Sequence, residues 1–191
     1  MLKINLNEIQ THANQLEKVL SSYEENAMSI VQTIQNSEPN WHDDNSESFF
    51  NLINNLKSEI RQFNTEMANV KLTYEQIANR GKRIISFAND IFFDQTQKSE
   101  IITSYNTTLE QLKAAKNKLD SANYSFCTGG EQSLIRSAKS KLAISISNFE
   151  QSKIKVEDLF SKLTEYEKEI SSLMSKIELS PLTEIDYSKY N

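Results

Sequence analysis

The chain has 191 residues, enough for one domain or two small ones, and its net charge is −5 with both signs along its length. Because the composition shows no strongly basic block, we expect no nucleic-acid partner. Three Gly, two Pro and a hydrophobic fraction of 38% predict long helices with narrow apolar stripes and few turns. The single cysteine, Cys127, excludes an internal disulfide.

The N-terminus gives no sign of a secretory signal, because Lys3 and several amides interrupt the would-be apolar region. The sequence also lacks a run of about 18 apolar residues, so no integral membrane segment is predicted.

The first predicted helix runs from about residue 5 to residue 36. Its apolar residues alternate between spacings of three and four, a heptad stripe typical of a helix packed lengthwise on another helix. The stripe consists of Leu6, Ile9, Ala13, Leu16, Leu20, Tyr23, Ala27, Ile30 and Ile34. Pro39 ends this helix, since the residue before a proline is disfavoured in the helical region.

Residues 39–50 contain the only tryptophan, Trp41, and predict a turn between two long helices. Asp43 or Asp44 is expected to cap the second helix. The stripe of that helix is predicted to continue to Ile91, so that the helix reaches about 70 Å if unbroken.

Gly81 falls on the same stripe and predicts either a close helix approach or a kink. The periodicity then lapses over residues 93–99. This lapse predicts a link between two halves of the chain, and both a turn and a continuous helix are compatible with it.

The third predicted helix extends to Phe126 and is followed by the strongest turn signal, Cys127-Thr128-Gly129-Gly130. The two adjacent glycines, Gly129 and Gly130, are expected to permit positive φ and to end the helix. A fourth helix continues to Ile177, and Pro181 closes it.

The two turns share a spacing that indicates a duplicated hairpin. Phe126 occupies the position of Trp41, and Leu134 follows eight positions later, as Phe49 follows Trp41. We therefore predict an all-α protein whose two long helical hairpins form an elongated antiparallel four-helix bundle. Residues 1–95 form the first hairpin, residues 96–180 form the second, and residues 181–191 form a flexible tail.

Trp41, with Asp43 two positions on and Phe49 eight positions on, resembles the turn of the Trp-x-Gly (ESAT-like) helical hairpins of type VII secretion in Gram-positive bacteria. Asp43 stands where that family usually has Gly. The resemblance covers the whole chain in architecture but only residues 39–50 in motif. It implies a divergent tandem hairpin, related to partner or targeting proteins of toxins with a Leu-x-Gly helical domain.

Exported members of that family often carry a Tyr-x-x-x-Asp/Glu signal after the second helix. Here Tyr166 is followed by Ile170 at the acidic position, so the signal is missing. A looser pattern of apolar and acidic residues remains as a weak export-signal candidate, formed by Leu163, Glu167, Ile170 and Met174.

No residues point to catalysis. His42-Asp43-Asp44 can be drawn as a metal site, but zinc needs three or four ligands, and helix capping is the better interpretation. His12 and Cys127 lack catalytic partners nearby in sequence, and no phosphate-binding glycine motif occurs. We therefore expect no enzyme activity, no cofactor and no metal.

The remaining candidates are surfaces. Ile91, Phe92 and Phe93 are the preferred partner contacts, because three consecutive apolar residues cannot all face one helix seam. Other apolar residues off the stripes fit either a wide bundle core or a groove for another amphipathic helix.

The expected function is that of a non-enzymatic partner, targeting chaperone or co-exported factor of type VII secretion. Its expected partners are a toxin N-terminal helical domain or a small Trp-x-Gly-like protein, and the secretion motor ATPase. The heptads are also compatible with a homodimer. The resemblance implies a cytoplasmic protein that is then secreted or placed at the cell surface without a conventional secretory signal peptide. The alternative is a structural coiled-coil scaffold unrelated to secretion; a membrane-surface binder is disfavoured by the acidic charge.

Overall fold

The computed structural model describes residues 2–41, 43 and 45–181. Helix makes up 81% of the structure, which confirms the all-α prediction. The four helices are α1 (Leu6–Gln35), α2 (Ser46–Ile84), α3 (Gln95–Ser121) and α4 (Gly129–Met174). Two short strands, β1 (Leu2–Asn5) and β2 (Asp90–Phe93), pair in a two-stranded sheet that the periodicity does not predict.

The described residues cluster in two compact units. Residues 5–91 and 168–181 form one, called here the Trp41 unit; residues 2–4 and 92–167 form the other, called the Phe126 unit. The predicted division at residues 95 and 180 stays a prediction, and most of the predicted tail, residues 182–191, lies outside the described residues.

The Trp41 unit is built on α1 and α2, whose backbones approach closely along an antiparallel hairpin. Their core is centred on Val31, Ile53 and Ile60, each at most 4% exposed. Tyr23 packs edge-on against Phe63 with ring centroids 5.4 Å apart. Partly buried side chains extend this core: Ala27, Met28, Ile34, Phe49 and Leu56.

The predicted apolar stripe of α1 is wrong at one position. Ile30 is 62% exposed, and its neighbour Val31 takes the core position at 1% exposure. A straight helix turns every 3.6 residues rather than every 3.5, so a strict heptad pattern drifts off the buried face toward one end.

The Phe126 unit has a sparser core. Tyr105 of α3 and Phe149 of α4 stack at 4.8 Å, and Lys113 pairs with Glu150 at 2.6 Å. Leu109 is the buried residue of α3, while Ile146, Leu163 and Tyr166 are buried on α4.

The predicted end of the second helix is wrong. Helix α2 stops at Ile84, because Ile85 adopts an extended conformation with φ −125° and ψ 94°. Ile85 and Phe87 in this segment, and the Ile-Phe-Phe of β2 after it, are β-branched or aromatic residues, which favour extended backbone. The N–H of Leu6 also bonds the carbonyl of Asn89 at 2.8 Å, which brings this segment beside the start of α1.

The link over residues 93–99 is neither a simple turn nor a continuous helix. It consists of the end of β2 and the start of α3. Asp94 lies between them and caps α3 by accepting the N–H of Thr96 at 2.9 Å.

The predicted ends of the third helix and of the fourth are also wrong. Helix α3 stops at Ser121, before Phe126, and α4 begins at Gly129 and ends at Met174. No described glycine has positive φ. Gly129 and Gly130 therefore begin a helix instead of ending one, because an effective cap stands directly before them, as described below.

Candidate functional site

The Trp41 turn joins α1 to α2 and brings the three predicted motif residues together. After α1, a single 3-10 turn at Glu38–Asn40 carries the chain round, and Trp41 follows in extended conformation. The indole ring lies 4.9 Å from the ring of Phe49 and 5.6 Å from that of Phe50. The turn is therefore closed by an aromatic cluster.

Phe50 is the member of this cluster that the sequence analysis left out of the motif. It is only 4% exposed, so it anchors the cluster on the buried side of α2. Phe49 and Phe50 touch each other edge-on at 5.5 Å. Their adjacency in sequence was the available signal, since neighbouring aromatics at a helix start can pack on both sides of a third ring.

Asp43 has a role that glycine could not supply. Its Oδ2 accepts the indole Nε1–H of Trp41 at 2.6 Å, and its Oδ1 accepts the N–H of Asn45 at 2.9 Å. The hydrogen bond from Trp41 is the main cause that lowers the pKa of this carboxyl, and the backbone N–H of Asn45 contributes. An ionised Asp43 therefore fixes the orientation of the indole ring.

The expected helix cap differs in detail. Helix α2 begins at Ser46, and its N-cap residue Asn45 makes no side-chain capping bond. Asp43 instead forms a local Asx-type turn before the helix. His42 and Asp44 lie outside the described residues, so the structure does not test a metal site at His42-Asp43-Asp44. The part of the chain that is described holds no group of three metal-binding side chains.

The second turn, residues 122–128, contains Phe126 but no aromatic cluster. Phe126 is 84% exposed and Leu134 is 72% exposed. The structure thus does not bring these two residues together as it brings Trp41 and Phe49 together. The turn is held by hydrogen bonds within the chain segment itself.

Those bonds form a capping box at the start of α4. The Glu131 carboxylate accepts the Thr128 N–H at 2.7 Å and the Thr128 hydroxyl at 2.9 Å, while the Glu131 N–H points back to the Thr128 hydroxyl at 3.4 Å. These bonds lower the pKa of Glu131, the backbone N–H most of all. The Thr-x-x-Glu spacing is the sequence signature of such a capping box, and from it the start of α4 could have been predicted.

Gln132 closes the rest of this turn by donating to the carbonyls of Tyr124 and Cys127, at 3.5 and 3.1 Å. Cys127 is half-buried with a free thiol, and its N–H bonds the Tyr124 carbonyl at 3.1 Å.

The predicted partner contacts divide between surface and interior. In β2, Ile91 is 1% exposed and Phe93 is 2% exposed, whereas Phe92 is 53% exposed. The alternation of a strand explains this pattern, because successive side chains point to opposite faces. Phe92 is left as the member of the trio that a partner could reach.

The weak export-signal candidates all lie on α4. Leu163 is buried, Glu167 and Ile170 are half-buried, and Met174 is 44% exposed. They are not displayed together as one exposed stripe.

A further contact that the sequence analysis missed joins the segment after α4 to α2 in the Trp41 unit. The Glu66 carboxylate accepts both the N–H and the hydroxyl of Ser180 at 2.7 Å, and Gln62 donates to the same hydroxyl at 2.9 Å. The hydroxyl of Ser180 is the main cause that lowers the pKa of Glu66.

Comparisons of this chain with protein-family models, with characterised proteins and with solved structures gave no significant match. In the described part of the chain, none of the helices combines the length and the apolar character that a membrane span requires.

Proposed function

We propose that this chain is a non-enzymatic helical partner protein of a type VII secretion system, acting as a targeting chaperone or co-exported factor. The observation that carries the proposal is the Trp41 turn: a Trp between two long antiparallel helices, packed at 4.9 Å on the aromatic residue eight positions later. This is the turn on which the resemblance to the Trp-x-Gly hairpins rests.

The hairpin is suited to binding another helix side by side. Helices α1 and α2 contain 30 and 39 residues, which correspond to about 45 and 58 Å of rod. Val19 and Ile30 are 63% and 62% exposed and lie about three turns apart, so they share one face of α1. In the proposal these two side chains are the apolar contacts that α1 offers to an amphipathic helix from a toxin or a sibling protein.

In this proposal the apolar stripe of the cargo is shielded on the hairpin, and the aromatic cluster fixes the hairpin end that the cargo or the motor ATPase reads. The antiparallel four-helix bundle, the lack of enzymatic activity and the passage from the cytoplasm to the outside are parts of the same proposal.

Proteomics of culture supernatants tests the proposal directly. The native host is compared with a strain that lacks the type VII motor ATPase, and this chain is quantified outside and inside the cells. We expect the chain, or a cargo recovered with it by pull-down, to appear outside only when the motor is present. Retention of both inside the cell in the two strains contradicts the proposal and favours a structural scaffold.

A pair of variants assigns the effect to the Trp41 turn. Trp41→Ala is expected to reduce export of the cargo at least severalfold, and Phe126→Ala serves as the matched control at the other turn. Helix content by circular dichroism is measured for both, so that loss of folding is distinguished from loss of recognition. Equal export in wild type and Trp41→Ala with both folded contradicts a role for the cluster.

A further inference from the structure

The charges of the chain separate strongly between the two turns. Residues 19–56, which contain the Trp41 turn, include six Asp or Glu and no Lys or Arg. Residues 116–141, which contain the Phe126 turn, include five Lys or Arg and two Asp or Glu, a net charge of +3 in a chain of −5. A composition summed over the whole chain hides this polarity.

The positive side is called here the basic turn surface, formed by Lys116, Lys118, Arg136, Lys139 and Lys141. Its two acids are already engaged. Asp120 pairs with Lys116 at 2.5 Å and with Lys139 at 3.4 Å, and Glu131 is held in the capping box.

Three cations of this surface are left without an ion pair to any described residue: Lys118, Arg136 and Lys141, all of them exposed. Arg136 also lines an open cavity of about 350 Å³ together with Tyr124, Gln132 and Lys139. The Lys139 ammonium lies 5.1 Å from the centre of the Tyr124 ring. This cavity offers cationic donors beside an aromatic wall, an arrangement that suits a carboxylate side chain.

Two large apolar side chains protrude beside these cations, Phe126 at 84% and Leu134 at 72% exposure. Charged residues supply orientation and steering in an interface, and apolar residues supply buried area. The basic turn surface has both.

The negative side is called the acidic turn surface, formed by the exposed residues Glu24, Glu25, Glu38, Asp43 and Glu47. None of them forms an ion pair with a described residue. The lowered pKa of Asp43 keeps that carboxyl ionised. Like charges that follow one another along a segment without a cation between them repel each other unless a cationic partner neutralises them.

We propose that the basic turn surface of one copy binds the acidic turn surface of a second copy of this chain. The occupant is a second copy because the same molecule carries both surfaces, of opposite sign and without ionic partners of their own. The contact joins two different surfaces, so it is heterologous and builds pairs or longer chains of copies. The proposal is independent of export.

Sedimentation velocity measures the association. We expect the purified chain to self-associate with rising concentration at about 50 mM salt, and to dissociate at about 500 mM salt, since ions screen exposed charges. The effect expected is a loss of affinity of about tenfold or more. A monomer at every concentration in low salt overturns the proposal.

Charge reversal identifies the surfaces. The basic-reversed variant carries Lys118→Glu with Arg136→Glu, and the acidic-reversed variant carries Glu38→Lys with Glu47→Lys. The basic-reversed variant is expected to be monomeric, because the net charge of residues 116–141 changes from +3 to −1, the same sign as residues 19–56. The acidic-reversed variant is expected to associate about tenfold more weakly than the wild type, because the net charge of residues 19–56 shrinks from −6 to −2. A mixture of the two variants is expected to associate in pairs, because the unaltered acidic turn surface of the basic-reversed variant meets the unaltered basic turn surface of the acidic-reversed variant.

The control variant, Lys155→Glu with Lys168→Glu, changes the net charge as much as the basic-reversed variant does but lies outside both surfaces. It is expected to associate like the wild type. Helix content by circular dichroism confirms that each variant is folded. Self-association of wild-type strength in either reversed variant, or a mixture that stays monomeric, overturns the proposal. Binding of polyglutamate by a chain that does not self-associate overturns it as well and assigns the basic turn surface to another acidic protein.

Discussion

The two interhelical turns solve the same problem by different physical means. The Trp41 turn is held mainly by aromatic packing: Trp41 packs on Phe49 and Phe50, and its indole is fixed by Asp43. The Phe126 turn is held by local hydrogen bonds of the Thr128–Glu131 capping box, while its aromatic residue is 84% exposed. The aromatic residue before the helix therefore packs against neighbouring rings in the first turn, whereas in the second turn it is exposed to solvent.

The difference depends on the residues that follow each aromatic. Trp41 meets two adjacent phenylalanines near the start of α2: Phe49 packs against the core between α1 and α2, and Phe50 is buried. The corresponding residue of the other turn, Leu134, is exposed, so Phe126 finds no apolar surface there. The spacing shared by the two turns thus does not extend to their packing.

The largest expected effect separates the two aromatics. Trp41→Ala should lower the free energy of unfolding by about 2 kcal/mol, less than a fully buried Trp because the ring is half-buried. Phe126→Ala should change it by less than about 0.5 kcal/mol, since an exposed side chain loses little contact. Urea unfolding followed by circular dichroism measures both. Equal losses in the two variants would mean that the turns are held alike.

The N-cap residues of α4 and α2 should show the opposite order, with the larger loss of stability at the Phe126 turn. Thr128→Ala removes the capping box of α4 and should cost about 1 kcal/mol, while Asn45→Ala should cost only a few tenths, because the Asn45 side chain caps nothing. The same urea unfolding applies. A larger loss for Asn45→Ala than for Thr128→Ala would contradict the assignment of local bonding to the Phe126 turn.

The glycines at the start of α4 give a smaller effect of opposite sign. Gly130 has negative φ, and an added Cβ would meet no atom within 4 Å. Gly130→Ala should therefore stabilise the chain by about 0.5 kcal/mol, chiefly by restricting the unfolded state. Thermal unfolding measures the shift. A lower midpoint in the variant would indicate the positive φ that the sequence analysis expected.

The smallest effect is a titration in the Trp41 turn. Because the folded-state pKa of Asp43 is lowered, the stability that Asp43 contributes is present above its unfolded pKa and is lost as pH falls through the folded value. The fluorescence of Trp41, the only tryptophan, should change below about pH 4 while the helices persist. Asp43→Asn should abolish that step, and an unchanged titration in this variant would contradict the hydrogen bond.

Long amphipathic helices could be predicted from the sequence with accurate bounds where an end has a strong local signal, as at Leu6–Gln35. The start of α4 also had a local signal, the Thr128-x-x-Glu131 capping box. The glycines after Thr128 were interpreted as a helix end instead, so the error there lay in the interpretation and not in the sequence. The end of α2 was different. Its apolar spacing continues smoothly to Ile91, and neither Gly nor Pro interrupts it between Gly81 and β2.

The sequence by itself determined that the chain is helical, that α1 and α2 form a hairpin about Trp41, and that charge separates between the two turns. These properties follow from periodicity, from the scarcity of Gly and Pro, and from the order of charged residues, all of which are local. Only the tertiary structure decided that residues 90–93 leave the helix to pair with β1, and that Trp41 is packed while Phe126 is exposed. The reason is physical: β1 pairs with a strand distant in sequence, and Trp41 is packed because Phe49, its neighbour across the turn, is itself held on the core formed between α1 and α2, which no local pattern specifies.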